Sequence, residues 1–496
     1  MFTMNSIRRI AILAAVVLIL AGPAFAWKFA SMADSRGSTN GVNVAILSTI
    51  VNLVNAENVD LVVFQGDAVS GSSSDATLSS QLDTWLVEMN KLNAHWYYTP
   101  GNHEISTSTA EANVLRGKVI QPENGPTGYK EFVFSFDHEN AHFVFLNSDH
   151  YGEQHKVQRA WLTTDLATTT QPHIFVMAHD PGYPAGPHIG SSLDAYPSER
   201  DDFWNIMTDA DVRMYFCGHE HLYARSMHAS VTQVINGTCG APIPTEIPEG
   251  TQGVYNYVIV TVNGNWVHCD ARDDAGNLID SWDYAVGPSP TMSSLKEAAD
   301  NTPVYVTGKT VTAGNDVFNA TFYIEDEDRS SGIRVYGSPT TVSAGDGVDV
   351  FGTLSSQYSE RAILNPSVYP RTATYTVDPL GMITRSVGGS SLNANTPGIT
   401  GGIGTHNTGL LVTIWGEVTF VNDLSGYFYV DDGYGRQDGT GYTGVRADCS
   451  QRISGLTLPA QYSHVVVTGV CSRKKTGTTY FPIVRPRTQD DIVPYP

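Results

Sequence analysis

Charged side chains are scarce in this chain. Asp, Glu, Lys and Arg make up 16% of its 496 residues, whereas an average globular protein has about 25%. Hydrophobic residues account for 41%, which is enough to fill packed cores and excludes an intrinsically disordered chain. Few charges together with many Gly, Ser and Thr residues are more typical of an extracellular β-rich protein than of a cytosolic helical one. The length allows two or three domains.

Basic residues are the rarer of the two charged classes. The chain has 29 Lys and Arg against 50 Asp and Glu, which gives a net charge of −21. Such an acidic surface repels phosphate backbones and anionic lipids, so a large nucleic-acid interface is disfavoured. A small phosphate-containing substrate is still compatible with this charge, because bound metal cations invert the local field.

Cysteine is also rare, with five residues in the whole chain. No C-x-x-C pair is present, so the sequence does not indicate a zinc site built from thiolates. Export would permit disulfides. Cys449 and Cys471 could pair with each other, and Cys217, Cys239 and Cys269 could give one pair and one free thiol. The sequence leaves these pairings open.

Long hydrophobic runs are absent except at the N-terminus. There, Arg8-Arg9 precede the apolar run Ile10–Ala21, and Ala24-Phe25-Ala26 follows as an A-x-A cleavage motif. This order predicts a secretory signal peptide over residues 1–26. A membrane anchor is the alternative, but the run is short for a bilayer span. We therefore expect a secreted, periplasmic or cell-surface protein with no membrane span after signal removal.

The rest of the chain divides into a mixed part and a β-rich part. Residues 27–287 alternate strand patterns with apolar stripes at helical spacing, as in Val44–Val54 and Leu78–Met89. Tyr255–Val262 and Trp266–Ala271 predict a closing hairpin around Asn263-Gly264-Asn265. Residues 288–294 are predicted to form a linker. The helical pattern then nearly vanishes, apart from a predicted turn at Ser294–Ala299.

An internal repeat organises the β-rich part. Phe322–Asp326 leads to Ser331–Val335, and Phe428–Asp432 leads to Tyr442–Arg446 in the same way. We predict two small β-barrels, at 295–378 and 400–496, with a linker at 379–399 that overlaps the loop-like stretch 386–408. They resemble the OB-type barrels appended to exported bacterial proteins, which can bind oligonucleotides or glycans. Contact with a cell-surface glycan or protein, or a spacer role, is the expectation for them.

Side chains that commonly bind metals follow five strand-like runs in the first part. Ligands gather beyond the carboxyl ends of strands in open α/β sheets. Carboxylate, amide and imidazole groups are ligands for hard or borderline divalent metals. The runs are Trp27–Met32, Leu61–Phe64, His95–Thr99, His173–Ala178 and Met214–Cys217. The residues that follow them are Asp34, Asp67, Asn102 with His103, His179, and His219 with His221.

These residues stand in short motifs whose order resembles a known superfamily. Gly66-Asp67, Gly101–Glu104, His179 and Gly218–His221 follow one another as in the calcineurin-like metallophosphoesterases. The stretch Gly218–Tyr223 is also similar to the purple-acid-phosphatase-like branch. The resemblance covers about residues 28 to 285. It implies an α/β multi-layer sandwich of the α-β-β-α type and the activity of a phosphoric ester hydrolase.

The resemblance implies a dinuclear centre of divalent or trivalent ions such as Mn, Fe or Zn. In it, Asp67 would bridge the two ions with its two carboxylate oxygens. What we call the first metal site would be completed by Asp34 and His221. The second metal site would be completed by Asn102, His179 and His219.

His103 would have a different role from the other histidines. The resemblance implies that it contacts the substrate phosphate and acts as general acid, protonating the leaving alkoxide. The metal ions would lower the pKa of a bound water, which then attacks the phosphorus. A purely structural hydrogen-bonding role for His103 is the alternative.

The first motif departs from the family pattern. The family has Asp-x-His there, whereas this chain has Asp34-Ser35-Arg36, and Arg is not a normal metal ligand. Purple acid phosphatases replace that His with a Tyr three residues after the bridging Asp, where this chain has Ser70. We therefore predict a weaker first metal site. Arg36 could contact the substrate phosphate or form an ion pair with Asp67.

Other polar residues near these motifs have less specific expectations. Asp180 and Tyr223 are expected to support the ligands without binding metal. His188 could touch the substrate or be a solvated loop residue. Three further histidines are expected at the surface or in a hairpin: His138, His142 and His155.

The sequence thus predicts an exported metal-dependent phosphohydrolase acting on a small phosphate mono- or diester. One alternative is a surface binding protein whose phosphoesterase fold has lost activity through the altered first motif. Another is an extracellular nucleotidase or nuclease that uses the barrels to hold its substrate.

Overall fold

The computed structural model describes residues 26–37, 40–105, 107–374, 376–450, 452 and 455–495. The predicted signal peptide lies outside these residues, apart from Ala26. The chain forms two compact units, the first ending at Ser281 and the second beginning at Trp282. Among the described residues, no helix combines the length and the apolar character that a bilayer span needs.

The first unit alternates strands and helices. Its helices are α1 (Val44–Ala56), α2 (Asp75–Met89), α3 (Asn102–Ile105), α4 (Thr109–Arg116), α5 (Arg159–Leu166) and α6 (Pro197–Asp209). Its strands are β1 (Trp27–Met32), β2 (Leu61–Gln65), β3 (His95–Thr99), β4 (Phe134–His138), β5 (Ala141–Phe145), β6 (His173–Met177), β7 (Met214–Cys217), β8 (Tyr223–His228), β9 (Val231–Asn236), β10 (Asn256–Asn263), β11 (Trp266–Asp273) and β12 (Leu278–Ala285).

These strands form two six-stranded sheets. The first has the order β12-β11-β10-β1-β2-β3, and the second has the order β4-β5-β6-β7-β9-β8. The predicted closing hairpin is confirmed, because β10 and β11 pair antiparallel up to Asn263 opposite Trp266. In the first sheet β1, β2 and β3 run parallel, and in the second β5, β6 and β7 do.

Aromatic side chains pack the two sheets against each other. The ring of Phe29 on β1 lies 5.2 Å from that of Phe143 on β5, 4.8 Å from that of Phe175 on β6, and 5.9 Å from that of Phe216 on β7. Edge-to-face rings at such distances each add about 1 kcal/mol beyond the burial of their apolar area. The two sheets therefore pack through a layer of buried aromatic rings.

Helices cover the outer faces of both sheets. Leu47 of α1 and Leu82 of α2 are fully buried in one cluster with Val62 of β2. Leu162 of α5 and Phe203 of α6 are buried in a second cluster with the second sheet. Burying one such side chain contributes ~2 kcal/mol. The layers are thus helix, sheet, sheet and helix, which confirms the predicted α/β sandwich.

The parallel strands place the candidate ligands at one edge of the sandwich. In the first sheet, Met32 at the end of β1 pairs with Phe64 near the end of β2, and Gln65 pairs with Thr99 at the end of β3. In the second sheet, Met177 at the end of β6 pairs with Phe216 of β7. Loops that leave aligned carboxyl ends converge on a common space.

The second unit is almost entirely β-structure. Its described residues include the α-helix α7 (Met292–Glu297), close to the turn predicted at Ser294–Ala299, and the short 3-10 helices Thr384–Ser386 and Gln489–Asp491. Its strands are β13 (Thr302–Ala313), β14 (Thr321–Glu325), β15 (Gly332–Tyr336), β16 (Asp346–Gln357), β17 (Glu360–Thr374), β18 (Leu380–Gly381), β19 (Leu411–Asn422), β20 (Tyr427–Asp431), β21 (Val445–Asp448), β22 (His464–Thr476), β23 (Thr479–Arg485) and β24 (Ile492–Tyr495).

Two sheets in this unit share one pairing order. The first is a closed barrel, β13-β14-β15-β17-β16. The second has the order β18-β19-β20-β21-β23-β22-β24, and β19 also pairs with β22. In both sheets the first three strands of the repeat are neighbours in chain order. The third strand then pairs with the fifth, and the fifth pairs with the fourth. The all-β character of this part is confirmed, while the OB-like assignment stays a prediction.

The cysteines do not form the pairs that the sequence left open. All five are free and buried, which rules out the pairing of Cys449 with Cys471 in this structure. Each thiol occupies a packed position instead, as does Cys471 in the core of the second repeat. Cysteine behaves there as a small apolar side chain.

Candidate metal centre

Four of the candidate ligands lie just beyond the ends of parallel strands: Asp34, Asp67, His179 and His219. Three of these four have strained backbones. Asp34, Asp67 and His219 have φ angles of 54°, 51° and 69°. This left-handed region is uncommon for residues other than glycine, and it is found most often at functional sites. The loops are tied together, because the amide of Asp34 donates to the carbonyl of Gly66 and that of Gly218 donates to the carbonyl of His179.

Glycines beside the ligands allow these loops to approach closely. A Cβ on Gly101 would collide with the carboxylate and backbone of Asp67, and one on Gly218 would collide with the carboxylate of Asp34. Gly66 has a φ of 78°, and a Cβ there would meet Gly101. The Gly-Asp, Gly-Asn-His and Gly-His motifs therefore bring backbone within contact distance of the ligands.

The side chains predicted for the first metal site lie together. One oxygen of Asp34 and one of Asp67 lie within 4.8 Å of each other. Both also lie within 4.8 Å of a ring nitrogen of His179, which is assigned to the second metal site. The Nε2 atom of His221 is 3.6 Å from Oδ1 of Asp34. All four side chains are almost fully buried.

The side chains predicted for the second metal site also lie close to Asp67 and to one another. Nε2 of His179 is 3.4 Å from Oδ1 of Asp67 and 3.2 Å from Oδ1 of Asn102. Nδ1 of His219 is 3.2 Å from the same nitrogen of His179. The structure therefore brings all six predicted ligands into one pocket.

Each of the three imidazoles uses one ring nitrogen for the protein and leaves the other for the pocket. Nδ1 of His179 lies 2.7 Å from the carbonyl of Gln65, and Nδ1 of His221 lies 2.9 Å from that of Pro242. Nε2 of His219 lies 3.0 Å from the carbonyl of Ser191. Such contacts fix the tautomer and orient the free nitrogen, as around metal-binding histidines.

The pKa values in the pocket favour a charged bridging carboxylate and neutral imidazoles. Burial alone would raise the pKa of Asp67, but the neighbouring His179, His103 and His219 outweigh it and lower that pKa to about 2. Burial, and then Arg36, lowers the pKa of His221 to about 4. Burial also lowers the pKa of His219. An ionised Asp67 and neutral His219 and His221 suit metal binding, whereas burial and then the charge of Asp67 raise the pKa of Asp34.

A metal ion fits the donor atoms that the pocket presents. Oδ1 of Asp34 is buried and has no hydrogen-bond partner, which is costly for a carboxylate oxygen. The ring nitrogens of His179, His219 and His221 that do not contact backbone carbonyls lie close to the two carboxylates and Asn102. A cation would therefore also relieve the repulsion between their lone pairs. Oxygen and imidazole donors suit Mn, Fe or Zn.

The sequence did not reveal the role of Glu104. Its carboxylate is fully buried and accepts hydrogen bonds of 3.0 Å from the amides of Asp67, Val69 and Gly101. Burial, and then the charge of Asp67, raises the pKa of Glu104 to about 8. Glu104 thus ties the Asp67 loop to the Asn102 loop. Its place in the Gly-Asn-His-Glu motif was the signal that could have indicated this.

His103 lies at the mouth of the pocket, apart from the buried ligands. Its Nδ1 is 2.8 Å from the carbonyl of Ser70, and its Nε2 is 3.7 Å from Oδ2 of Asp67. Its side chain is 29% exposed, whereas that of Asp67 is 2% exposed. The ring is therefore accessible to a molecule that enters from solvent.

Arg36 reaches the pocket from the first motif. Its Nε lies 3.6 Å from Oδ2 of Asp67, and its terminal nitrogen lies 3.3 Å from Nε2 of His221. The ion pair with Asp67, one of the two roles considered for it, is present in the structure. The guanidinium thus occupies space beside the first metal site where the family has a ligand.

Several supporting residues lie differently from expectation. The prediction that His155 is a surface or hairpin residue was wrong, because its Nδ1 lies 2.7 Å from the buried Asp180 carboxylate. Asp180 itself lies at the pocket, 3.9 Å from Nδ1 of His219. Tyr223 instead donates a hydrogen bond to Asp280. The centre of the His188 ring lies 4.0 Å from that of His219, and the two ring planes are tilted by 33°.

Comparison with family models places this unit. Residues 41–223 match the model of the calcineurin-like phosphoesterases. This segment is thus similar to the calcineurin-like metallophosphoesterases. Five of the six predicted ligands lie inside the matched segment and Asp34 precedes it. The family match and the grouped donor atoms together suggest a metal-dependent phosphoesterase with a dimetal site.

Solved structures give weaker similarities to this domain. A purple acid phosphatase from yellow lupin (Lupinus luteus) seeds is 16% identical over 53% of this chain and 54% of its own, with a TM-score of 0.45. A dimetal phosphatase from Danio rerio is 14% identical over 54% of this chain and 100% of its own, with a TM-score of 0.40. The structure named PhoD is 14% identical over 53% of this chain and 70% of its own, with a TM-score of 0.41. The chain spans about half the length of the lupin protein, and no curated protein matches it.

Proposed function

We propose that this protein is an exported phosphohydrolase that cleaves a small phosphate mono- or diester at a dinuclear metal centre. The observation that carries the proposal is the gathering of five donor side chains, four of them buried, around the carboxylate of Asp67. Two carboxylates and three imidazoles meet there, and Oδ1 of Asp34 has no hydrogen-bond partner in the described part of the first unit. A structural cluster would be expected to satisfy its own donors and acceptors.

In this proposal the ligands divide as the motifs imply. Asp67 bridges the two metal sites, and its low pKa keeps both oxygens available. Asp34 and His221 complete the first site. The second site is completed by Asn102, His179 and His219. When bound, the metal ions would supply a nucleophilic water at neutral pH and neutralise charge on the phosphoryl group.

His103 is proposed as the general acid. Its Nδ1–H donates to the carbonyl of Ser70, which holds the ring in one orientation. The protonated ring then presents its Nε2–H to the pocket, on the same side as Asp67. A leaving alkoxide that approaches from solvent would receive this proton. The partial exposure of the ring allows it to be reprotonated between turnovers.

Arg36 is proposed to contact the substrate phosphate. Its fork of N–H groups matches the geometry of two phosphoryl oxygens. In the structure it is paired with Asp67 across 3.6 Å. This separation is long for an ion pair, so the guanidinium can turn towards an incoming anion at little cost.

Hydrolysis of a chromogenic phosphate ester with added Mn²⁺ tests the proposal. We expect turnover by the wild type and its loss, by about 1,000-fold or more, in Asp67→Asn. Asp202→Asn is the matched control. Asp202 is an exposed residue of α6 whose carboxylate pairs with Arg159, away from the candidate ligands. Turnover by Asp67→Asn equal to that of the control would overturn the proposal.

A binding protein without catalysis is the second candidate, because Arg36 stands where the first motif has its His ligand. It predicts no turnover on any mono- or diester and at most one bound metal ion. A nucleotidase or nuclease would instead show turnover confined to nucleotides or oligonucleotides. One substrate panel with parallel metal analysis therefore separates the three possibilities.

A further inference from the structure

A second group of possible metal ligands lies beside the metal centre. It consists of Asp149, His155 and Asp180, and we name it the Asp149 cluster. One ligand atom of each lies within 4.8 Å of the others. Asp149 and Asp180 are both 0% exposed. An oxygen of each carboxylate, Oδ1 in both cases, is buried with no hydrogen-bond partner.

The loops after β5 and β6 build this cluster through Ser148. Its hydroxyl donates to Oδ2 of Asp149 at 2.7 Å and accepts from the amide of Asp180 at 3.0 Å. The carbonyl of Ser148 accepts from the amide of His155 at 2.7 Å. His155 has a φ of 63°, in the left-handed region. Ser148 therefore contacts all three members, and the backbone is strained to bring His155 in.

The donors and acceptors inside the cluster do not balance. Two fully buried carboxylates are held close together, and Oδ1 of each meets no hydrogen-bond donor among the described residues. The His155 ring contacts Asp180 through Nδ1 at 2.7 Å. Buried carboxylates of like charge repel each other and lose their hydration. Such a pair needs either a shared proton or a cation between its oxygens.

We propose that the Asp149 cluster binds a divalent cation in addition to those of the dinuclear centre. The donor set of two carboxylates and one imidazole suits Mn²⁺ or Zn²⁺. Water would complete the coordination on the side of His155, which is 25% exposed and provides the route from solvent.

The position of the cluster links it to the second metal site. Asp180 directly follows His179 in the chain, and its Oδ1 is 3.9 Å from Nδ1 of His219. A cation held by Asp180 would fix the loop that carries His179. The proposed site does not depend on hydrolytic activity, because its ligands are distinct from the six side chains assigned to the dinuclear centre.

Counting bound Mn²⁺ by equilibrium dialysis and metal analysis of the full chain tests this site. We expect Asp149→Asn to bind one ion fewer per chain than the wild type. Asp137→Asn is the matched control, because Asp137 pairs with His142 on the β4–β5 hairpin, and its count should equal that of the wild type. The difference in count is independent of how many ions the dinuclear centre holds, so failure here is distinguishable from failure of the proposed function.

An unchanged count in Asp149→Asn would overturn the inference and leave a shared proton as the explanation of the pair. If Asp149→Asn does not fold, as judged by circular dichroism, His155→Asn replaces it. His155 is partly exposed, so its loss should spare the fold while weakening the binding of one Mn²⁺ about tenfold or more. Unchanged Mn²⁺ affinity in a folded His155→Asn protein would equally overturn the inference.

Discussion

Arg36 is the residue that sets this metal centre apart from its family pattern. Its guanidinium lies between Asp67 and His221, at 3.6 Å and 3.3 Å. A positive charge there repels a metal cation, and the side chain offers no lone pair to bind one. The first metal site should therefore be the weaker of the two.

Arg36→His would restore the ligand and remove the charge. We expect the affinity of the weaker Mn²⁺ site, measured by calorimetric titration, to rise about tenfold or more. Arg36→Gln separates the two effects, because it removes the charge without adding an imidazole. A weaker site whose affinity is unchanged in both variants would contradict the role given to Arg36.

Gly101 tests the close approach of the ligand loops. A methyl group there would meet the carboxylate of Asp67, so Gly101→Ala should displace the bridging residue. We expect phosphate-ester hydrolysis to fall about 100-fold, as a shift of about 1 Å typically causes. Gly117→Ala is the matched control, because an added Cβ meets only ordinary contacts at 3.5 Å at the end of α4. Equal activity of both variants would argue against the collision.

Single residues show which parts of the pocket could be predicted. The six ligands stand in motifs that come after strands in the sequence. Because these strands are parallel neighbours in their sheets, their carboxyl ends are aligned and the ligands converge. Glu104 and His155 could not be assigned in this way. Their roles depend on which buried amides or carboxylates they meet after folding, and Ser148 brings His155 to Asp180 through contacts that have no periodic pattern.

At the scale of elements, His142 joins three of them. It lies on β5, and its ring nitrogens contact Asp137 of β4 at 2.6 Å and Asp165 of α5 at 2.9 Å. Burial lowers the pKa of His142, but the hydrogen bonds and charges of Asp165 and Asp137 outweigh it and raise that pKa. A raised folded-state pKa stabilises the protein below about pH 6.5, the unfolded value, and this stabilisation is lost as pH rises through the folded value.

Asp165→Asn should therefore destabilise the protein in a pH-dependent way. We expect a loss of ~1.5 kcal/mol near pH 6, typical of a hydrogen bond to a charged group, and a smaller loss near pH 9. Urea unfolding at both pH values measures this difference. A loss that is the same at pH 6 and pH 9 would show that the charge of His142 does not contribute.

Elements also show why the hairpins were predictable and the pairing across the sandwich was not. The β10–β11 turn is encoded by Asn263-Gly264-Asn265. The residues of β11 alternate between buried and partly exposed, which is the pattern of a strand with one face in the core. The contact of Phe29 with rings of the other sheet joins residues more than one hundred positions apart. No local pattern specifies such a contact.

At the scale of the whole molecule, the chain joins a metallophosphoesterase-like domain to two β-rich repeats. The division between them was visible as a loss of helical periodicity after residue 290. The repeats were visible as a recurrence of Phe-Tyr-x-x-Asp. Disulfide pairing could not be read from spacing, because a shared core does not by itself bring two thiols together: Cys449 and Cys471 lie in one core, and both are free.

Export is a prediction at this scale. If residues 1–26 are a signal peptide, the protein recovered from outside the cytoplasm should begin at Trp27. Intact-mass analysis of the native protein measures this directly. A species that retains Met1 after export would indicate an anchor instead. Ala26→Arg should block cleavage if the A-x-A motif is the processing site.

Anomalous diffraction at the manganese edge, on crystals grown with saturating Mn²⁺, tests the central claim most directly. We predict two anomalous peaks that flank the carboxylate of Asp67, one near Asp34 and His221 and the other near Asn102, His179 and His219. The absence of any peak within bonding distance of Asp67 would contradict the dinuclear centre and the hydrolytic function built on it.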